Sequence, residues 1–250
     1  MQRWYAQLAC GIFALPLIAA TAPAQTPSVP QQVIPFQANN PSEPGGDRLE
    51  EPRRLAAAIV AADGQPVTRI TDVGSFTGEF LEAFMDRFPE AKGQWTEPVA
   101  TNQGIAERRL KRFGNNASYR IGCPSRDLAQ NCVPAGTQVL LTSWLSIHQD
   151  LPGIQRFYKI AYGLVPAGGW VINIDHVGAQ DADWHHRLEV ARATLDKEGL
   201  AARIEGPPVH HPDFRTPLLE DQIAALHAAG FTQVHVAWRR LDTVLLMARK

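Results

Sequence analysis

Along residues 48–250 the apolar positions fall into short β-branched runs that alternate with longer stretches of helical period. Strands are predicted at residues 67–73, 94–96, 118–121, 138–143 and 169–175, with helices at 79–88, 99–112 and 153–163. A lead-in helix over 48–62 ends at the turn signal Asp63-Gly64. Such β-α repeats in order are what a parallel sheet with crossover helices requires. Two further helices are predicted at 184–198 and 217–229, the second stopped by Gly230. The runs 232–238 and 243–248 then close the pattern, joined by a connection too short for a crossover helix, so they pair as a hairpin. The predicted fold is α/β: a Rossmann-like, doubly wound, mostly parallel sheet of about seven strands with an antiparallel C-terminal hairpin.

Residues 1–46 break this rhythm. Arg3 precedes an almost wholly apolar run over 8–20, and Ala22-Pro23-Ala24 then offers small residues at cleavage-site spacing. That pattern predicts a signal peptide over 1–24 and an exported, periplasmic protein; the alternative is a cytoplasmic protein whose first residues are no working signal. The apolar run is short for a bilayer span, so no stable membrane anchor is expected after cleavage. Residues 25–46, dense in Pro, Gln, Asn and Ser, predict a disordered linker, which leaves 47–250 as the folded domain.

Composition narrows the partners. With 45% hydrophobic residues in 250, the chain can bury one substantial core. Its 24 basic and 25 acidic side chains provide no positive field for a phosphate backbone, so nucleic acid is excluded as the expected partner. Beyond the leader, Cys123 and Cys132 fit either a disulfide of an oxidising compartment or two unrelated buried thiols.

The candidate chemistry begins where the first predicted strand runs through Asp72-Val73-Gly74-Ser75-Phe76-Thr77-Gly78 into a helix. The dinucleotide fingerprint G-x-G-x-x-G would need glycines at 74, 76 and 79, and only Gly74 is present. The segment resembles the glycine loop of class I S-adenosylmethionine-dependent methyltransferases, acidic-x-Gly-x-Gly-x-Gly, through Asp72, Gly74 and Gly78. Phe76 takes the middle glycine's place, where a left-handed backbone costs a bulky residue roughly 1 to 2 kcal/mol.

That resemblance covers most of 48–250, including the Pro166-Ala167-Gly168-Gly169 turn, and it implies S-adenosylmethionine as cofactor and a small-molecule acceptor. It places Asp72, Gly74, Ser75 and Gly78 around the cofactor and Glu97, at the second strand's end, on its ribose hydroxyls. Asp127 is the nearest acid for the adenine. Ser143 and the segment 142–150 resemble the lining where cofactor and acceptor meet, with His148 as a general base.

Late histidines (His176, His185, His186, His210, His211) stand among Asp175, Asp181, Asp183 and Asp213, but no H-x-x-x-H or H-E-x-x-H spacing occurs, so no metal site is expected. Asp175 and His176, ending a strand, are expected to face the cleft. A G-x-S-x-G elbow is missing, so a serine hydrolase is not supported. Two functions stay open: methyl transfer to a small molecule, or an exported non-catalytic binding protein, an inactive relative with the same fold.

Overall fold

A computed structural model of the chain describes residues 49–123, 128, 132–178, 181–198, 215 and 217–250, with the side chains of His148 and Asp196 excepted. The predicted signal peptide and linker, Asp127, His210, His211 and Asp213 lie outside the described residues. In chain order the elements are α1 (Glu50–Ala62), β1 (Arg69–Val73), α2 (Glu79–Arg87), β2 (Lys92–Glu97), α3 (Gln103–Leu110), β3 (Ala117–Ile121) and β4 (Val139–Ser143). They continue with α4 (Leu151–Leu164), β5 (Trp170–His176), α5 (Ala182–Lys197), α6 (Leu219–Ala229), β6 (Gln233–Arg240) and β7 (Thr243–Arg249).

The seven strands form one sheet in the order β3-β2-β1-β4-β5-β7-β6. The first five run parallel, and β7 pairs antiparallel with both β5 and β6. A chain that winds outward to β3 and then restarts at β4 creates a switch point between β1 and β4, where ligands of open α/β sheets bind beyond the strands' carboxyl ends.

Burial on both faces explains the central strands. All five residues of β4 are buried, as a parallel strand covered by helices demands. One face packs Ile70, Trp95, Val139 and Ile172 under Ala57 and Val60 of α1 and Phe80, Phe84 and Met85 of α2. The other packs Leu140 and Val171 under Ile154, Phe157 and Ala161 of α4 and Leu226 of α6.

All seven predicted strands are present, and the departures have local causes. α4 starts at Leu151, two residues early, because the Asp150 carboxylate accepts the Gly153 N–H at 2.9 Å and Pro152 suits a first turn. α3 is shorter than predicted, with 3-10 turns on either side (Ala100–Asn102 and Lys111–Asn116). Val99 is 53% exposed and so brings no burial to a first turn there, while Gly114 at φ 53°, ψ −128° leaves helical space. The repeat fails once: among the described residues no helix joins β3 to β4.

Cys123 and Cys132 are joined there as a disulfide, with Cα atoms 5.7 Å apart, which settles the choice the sequence left open. Both are buried, and the Cys132 carbonyl accepts the Gln94 amide at 2.7 Å, so the crosslink is fastened to β2.

Candidate functional site at the carboxyl edge

The turn after β1 needs left-handed backbone at three positions: Gly74 (φ 72°), Phe76 (φ 63°) and Gly78 (φ 82°). Glycine meets this freely at two of them. At Gly78 an added Cβ would meet its nearest atoms at 3.5 Å, an ordinary contact, so backbone conformation and not crowding asks for glycine there. Phe76 carries the strain, and a strained bulky residue at a switch point is a mark of functional constraint.

Asp72 shapes this turn from inside. Its carboxylate accepts the Ser75 hydroxyl and, at 3.2 Å, the N–H of Leu81 in the first turn of α2. Both Asp72 and Ser75 are buried. From outside, Arg109 of α3 donates to the Thr77 carbonyl at 3.0 Å and to Glu79 and Glu82 at 2.9 and 3.0 Å, clamping the start of α2.

β2 grips the same turn at two points. The Gly74 N–H donates to the Thr96 carbonyl at 3.0 Å, and the Phe76 N–H donates to Glu97 Oε1 at 2.7 Å. The other Glu97 oxygen, Oε2, has no partner among the described residues. Burial pushes the Glu97 carboxyl up to about 8, only partly countered by the Phe76 N–H and reinforced by Asp72. Burial likewise raises Asp72 to about 7, against the Ser75 and Leu81 donors.

Across the switch point, β4 ends at Ser143, whose buried hydroxyl has no hydrogen-bond partner among the described residues. Trp144 follows in left-handed conformation at φ 55° and donates its N–H to the Ile174 carbonyl at 2.9 Å. That turn stacks its indole on His176, with ring centroids 4.3 Å apart. The Ser146–His148 turn is then tied to β5, because Asp175 accepts the Ser146 N–H at 2.7 Å together with its hydroxyl.

Seven adjacent strands in this order, with a glycine turn after β1 and an acid ending β2, define one architecture. The chain has the class I S-adenosylmethionine-dependent methyltransferase fold. No family model and no curated protein sequence matches it. Among solved structures with the methyltransferase fold, it is similar to the S-adenosylmethionine-dependent methyltransferase SibL in its apo form (20% identity, TM-score 0.56), covering 81% of this chain and 55% of SibL. It is also similar to the mitomycin 7-O-methyltransferase MmcR, at 15% identity and TM-score 0.55 over 82% of this chain and 55% of that one. A third is a protein from Bordetella parapertussis named as a possible exported protein, at 15% identity and TM-score 0.57 over 80% of this chain and 67% of that one. The chain thus spans little more than half the length of the first two.

Within the methyltransferase fold, Asp72, Gly74, Ser75, Gly78 and Glu97 come together at the carboxyl ends of β1 and β2, and Ser143 stands at the end of β4 beside β1. The backbone of His148 lies in the turn after β4, and Asp127 is outside the described residues. Asp175 does not face the cleft: it is wholly buried, taken up by Ser146, by Asn173 at 3.2 Å and by the His176 N–H at 2.9 Å. Sequence reasoning missed the Arg109 clamp and the stack of Trp144 on His176. The hollow at the amino edge of the sheet, lined by Asp63, Trp170 and Arg249, lies at the opposite ends of the strands.

Proposed function

We propose that the domain binds S-adenosylmethionine over the turn after β1 and transfers its methyl group to a small-molecule acceptor beside β4 and β5. The single observation that carries this reading is the joining of the glycine turn to Glu97, whose Oε1 is held by the Phe76 N–H while Oε2 is left to accept from ribose hydroxyls. Two buried polar atoms of the site without a hydrogen-bond partner among the described residues agree with a missing ligand: Asp72 Oδ1 and the Ser143 hydroxyl. Asp72 and Ser75 act on the cofactor through the loop they shape, and Gly74 and Gly78 let it approach the backbone. Asp127, for the adenine, enters on the sequence alone.

When bound, the sulfonium supplies the reactive methyl group, so the protein's part is alignment and exclusion of water. A base is needed where the acceptor is protic, and the sequence offers His148 for it. Export to the periplasm is part of the proposal: the leader pattern supports it, the Cys123–Cys132 bond suits an oxidising compartment, and the Bordetella protein's name points the same way. A non-catalytic binding protein is the second reading, favoured by Phe76 at a glycine position.

Calorimetry with S-adenosylmethionine and S-adenosylhomocysteine decides between them. Both compounds are expected to bind, and Glu97→Ala to weaken them about 10- to 100-fold, as loss of two hydrogen bonds to the ribose implies. Folded protein that gives no heat with either compound points to the binding-protein reading.

A further inference from the structure

His176 ends β5 directly opposite Thr243 of β7, in the register that seats the last hairpin against the parallel sheet. Its Nδ1 lies 3.1 Å from Thr243 Oγ1 and 3.6 Å from Asp242 Oδ1 in the β6 to β7 turn. Arg192 of α5 reaches the same Asp242 oxygen, which holds that carboxylate in place and tempers its charge. The indole of Trp144 covers one face of the imidazole, and Asp175 takes the His176 backbone N–H. Asp242, Arg192 and Asp175 are thus the charged or titratable groups around His176 from the turn, α5 and β5, while Thr243 and Trp144 are neutral.

This arrangement favours one tautomer of the imidazole. Asp242 is an anion across the whole working range, held at about 2 because His176 and Arg192 outweigh the upward push of burial. With Asp242 at 3.6 Å and Thr243 Oγ1 at 3.1 Å, Nδ1 faces groups that favour the tautomer with the hydrogen on Nδ1 and the lone pair on Nε2. Nε2 has no partner among the described residues, and 27% of the side chain is exposed at the carboxyl edge, one strand beyond β4.

We propose that His176, oriented by Asp242 and Trp144, is the general base of the methyl transfer, and that the acceptor presents a hydroxyl of phenolic acidity. The assignment rests on the methyltransferase reading and gives the proton to His176 in place of His148. In the step, Nε2 takes the acceptor's O–H proton while an oxygen lone pair forms the new O–CH3 bond. The methyl–sulfur bond breaks with its electron pair going to sulfur, leaving a neutral thioether. Positive charge passes from the sulfonium to the imidazolium, where the Asp242 carboxylate stabilises it. A neutral imidazole matches a phenol, whose ordinary pKa is about 10, far better than an aliphatic alcohol.

The test uses the purified full chain, methyl-labelled S-adenosylmethionine, and catechol and 4-methylphenol as probe acceptors from pH 5.5 to 9.5. Alongside it run calorimetry with S-adenosylhomocysteine and thermal melts of His176→Gln, His176→Gly, Asp242→Asn and His148→Ala. The expected result for His176→Gln is S-adenosylhomocysteine affinity within about twofold of wild type and a fall in kcat on the order of 100-fold or more, with the acidic limb of the pH profile gone. Added imidazole is expected to restore part of the rate to His176→Gly, which a merely structural histidine would not allow. Asp242→Asn should fall roughly 10-fold in kcat with little change in KM, and His148→Ala should keep the acidic limb. The assignment is overturned if His176→Gln retains wild-type kcat and pH profile, or if wild-type protein binds S-adenosylhomocysteine yet methylates neither probe. Folded wild-type protein that binds neither cofactor compound overturns the methyltransferase reading and this assignment together.

Discussion

The two halves of the carboxyl edge use carboxyl groups in opposite ways. Beside β1 and β2, burial raises Asp72 to about 7 against the Ser75 and Leu81 donors and the charge of Arg53, and raises Glu97 to about 8 against the Phe76 N–H. Beside β5 and β7, burial also acts on Asp242, but His176 and Arg192 outweigh it and hold the group at about 2. The same residue type is near-neutral in one half and a fixed anion in the other, decided by whether cations and donors outweigh burial. A pocket left short of positive charge suits a positively charged ligand, whereas one already paired suits a neutral acceptor whose proton must be removed.

The contrast predicts opposite responses to pH, and this is the largest expected effect. Asp72 and Glu97 have folded values near 7 and 8, above their ordinary 3.8 and 4.5, so the stability they contribute is fully present below about pH 4 and lost as pH rises through 7 to 8. Rises of this size correspond to at most about 5 kcal/mol for each, and the two groups are close enough not to add. Melting temperature should therefore fall between pH 5 and pH 9, and Glu97→Gln should flatten the part near pH 8. Asp242, held low, contributes stability that is present above about pH 4 and disappears only as pH falls through about 2. A flat melting curve from pH 5 to 9 would remove the distinction between the halves.

Reducing the Cys123–Cys132 bond is the next largest perturbation. It closes a loop of ten residues, and its loss should cost about 2.5 to 3 kcal/mol on the loop-entropy model, or roughly 5 to 12 °C in Tm. Because the crosslink is fastened to β2, amide exchange should rise across Gln94 to Glu97 and stay unchanged in β5. Equal loosening of both halves would show that they do not unfold separately.

The smallest effect belongs to Phe76→Gly. Relief of the left-handed strain at φ 63° is offset by glycine's greater freedom in the unfolded chain, so stability should move by less than about 1 kcal/mol. Affinity for S-adenosylmethionine should rise modestly in calorimetry. A large loss of affinity would instead make the phenyl ring part of the binding surface.

Local chemistry was legible in the sequence where a few adjacent residues decide it. Gly74 and Gly78 announce a left-handed turn, and the strand ending at Glu97 falls at the spacing that brings its acid back to that turn. Position in the sheet was not legible in the same way. His176 and Asp242 are separated by the whole of α5, α6 and β6, and only the β5 to β7 register, beside a β6 to β7 pairing that is irregular between Val236 and Trp238, joins them. Asp175 stands at the end of the same strand and was expected in the cleft, but besides Asn173 of its own strand it is taken up by Ser146, from a turn whose course the sequence leaves open. The disulfide stayed ambiguous for the same reason, since two cysteines in a polar stretch do not reveal whether their backbones approach.

The placement of β7 has a consequence for assembly. It is the last strand to be made, yet it lies inside the sheet between β5 and β6. Until it emerges, β5 keeps an open, strongly apolar edge that invites pairing with another chain, and the domain is an incomplete, sticky intermediate. Such a sheet cannot close early, and whatever shields the waiting edge of β5 in that interval guards the chain against aggregation.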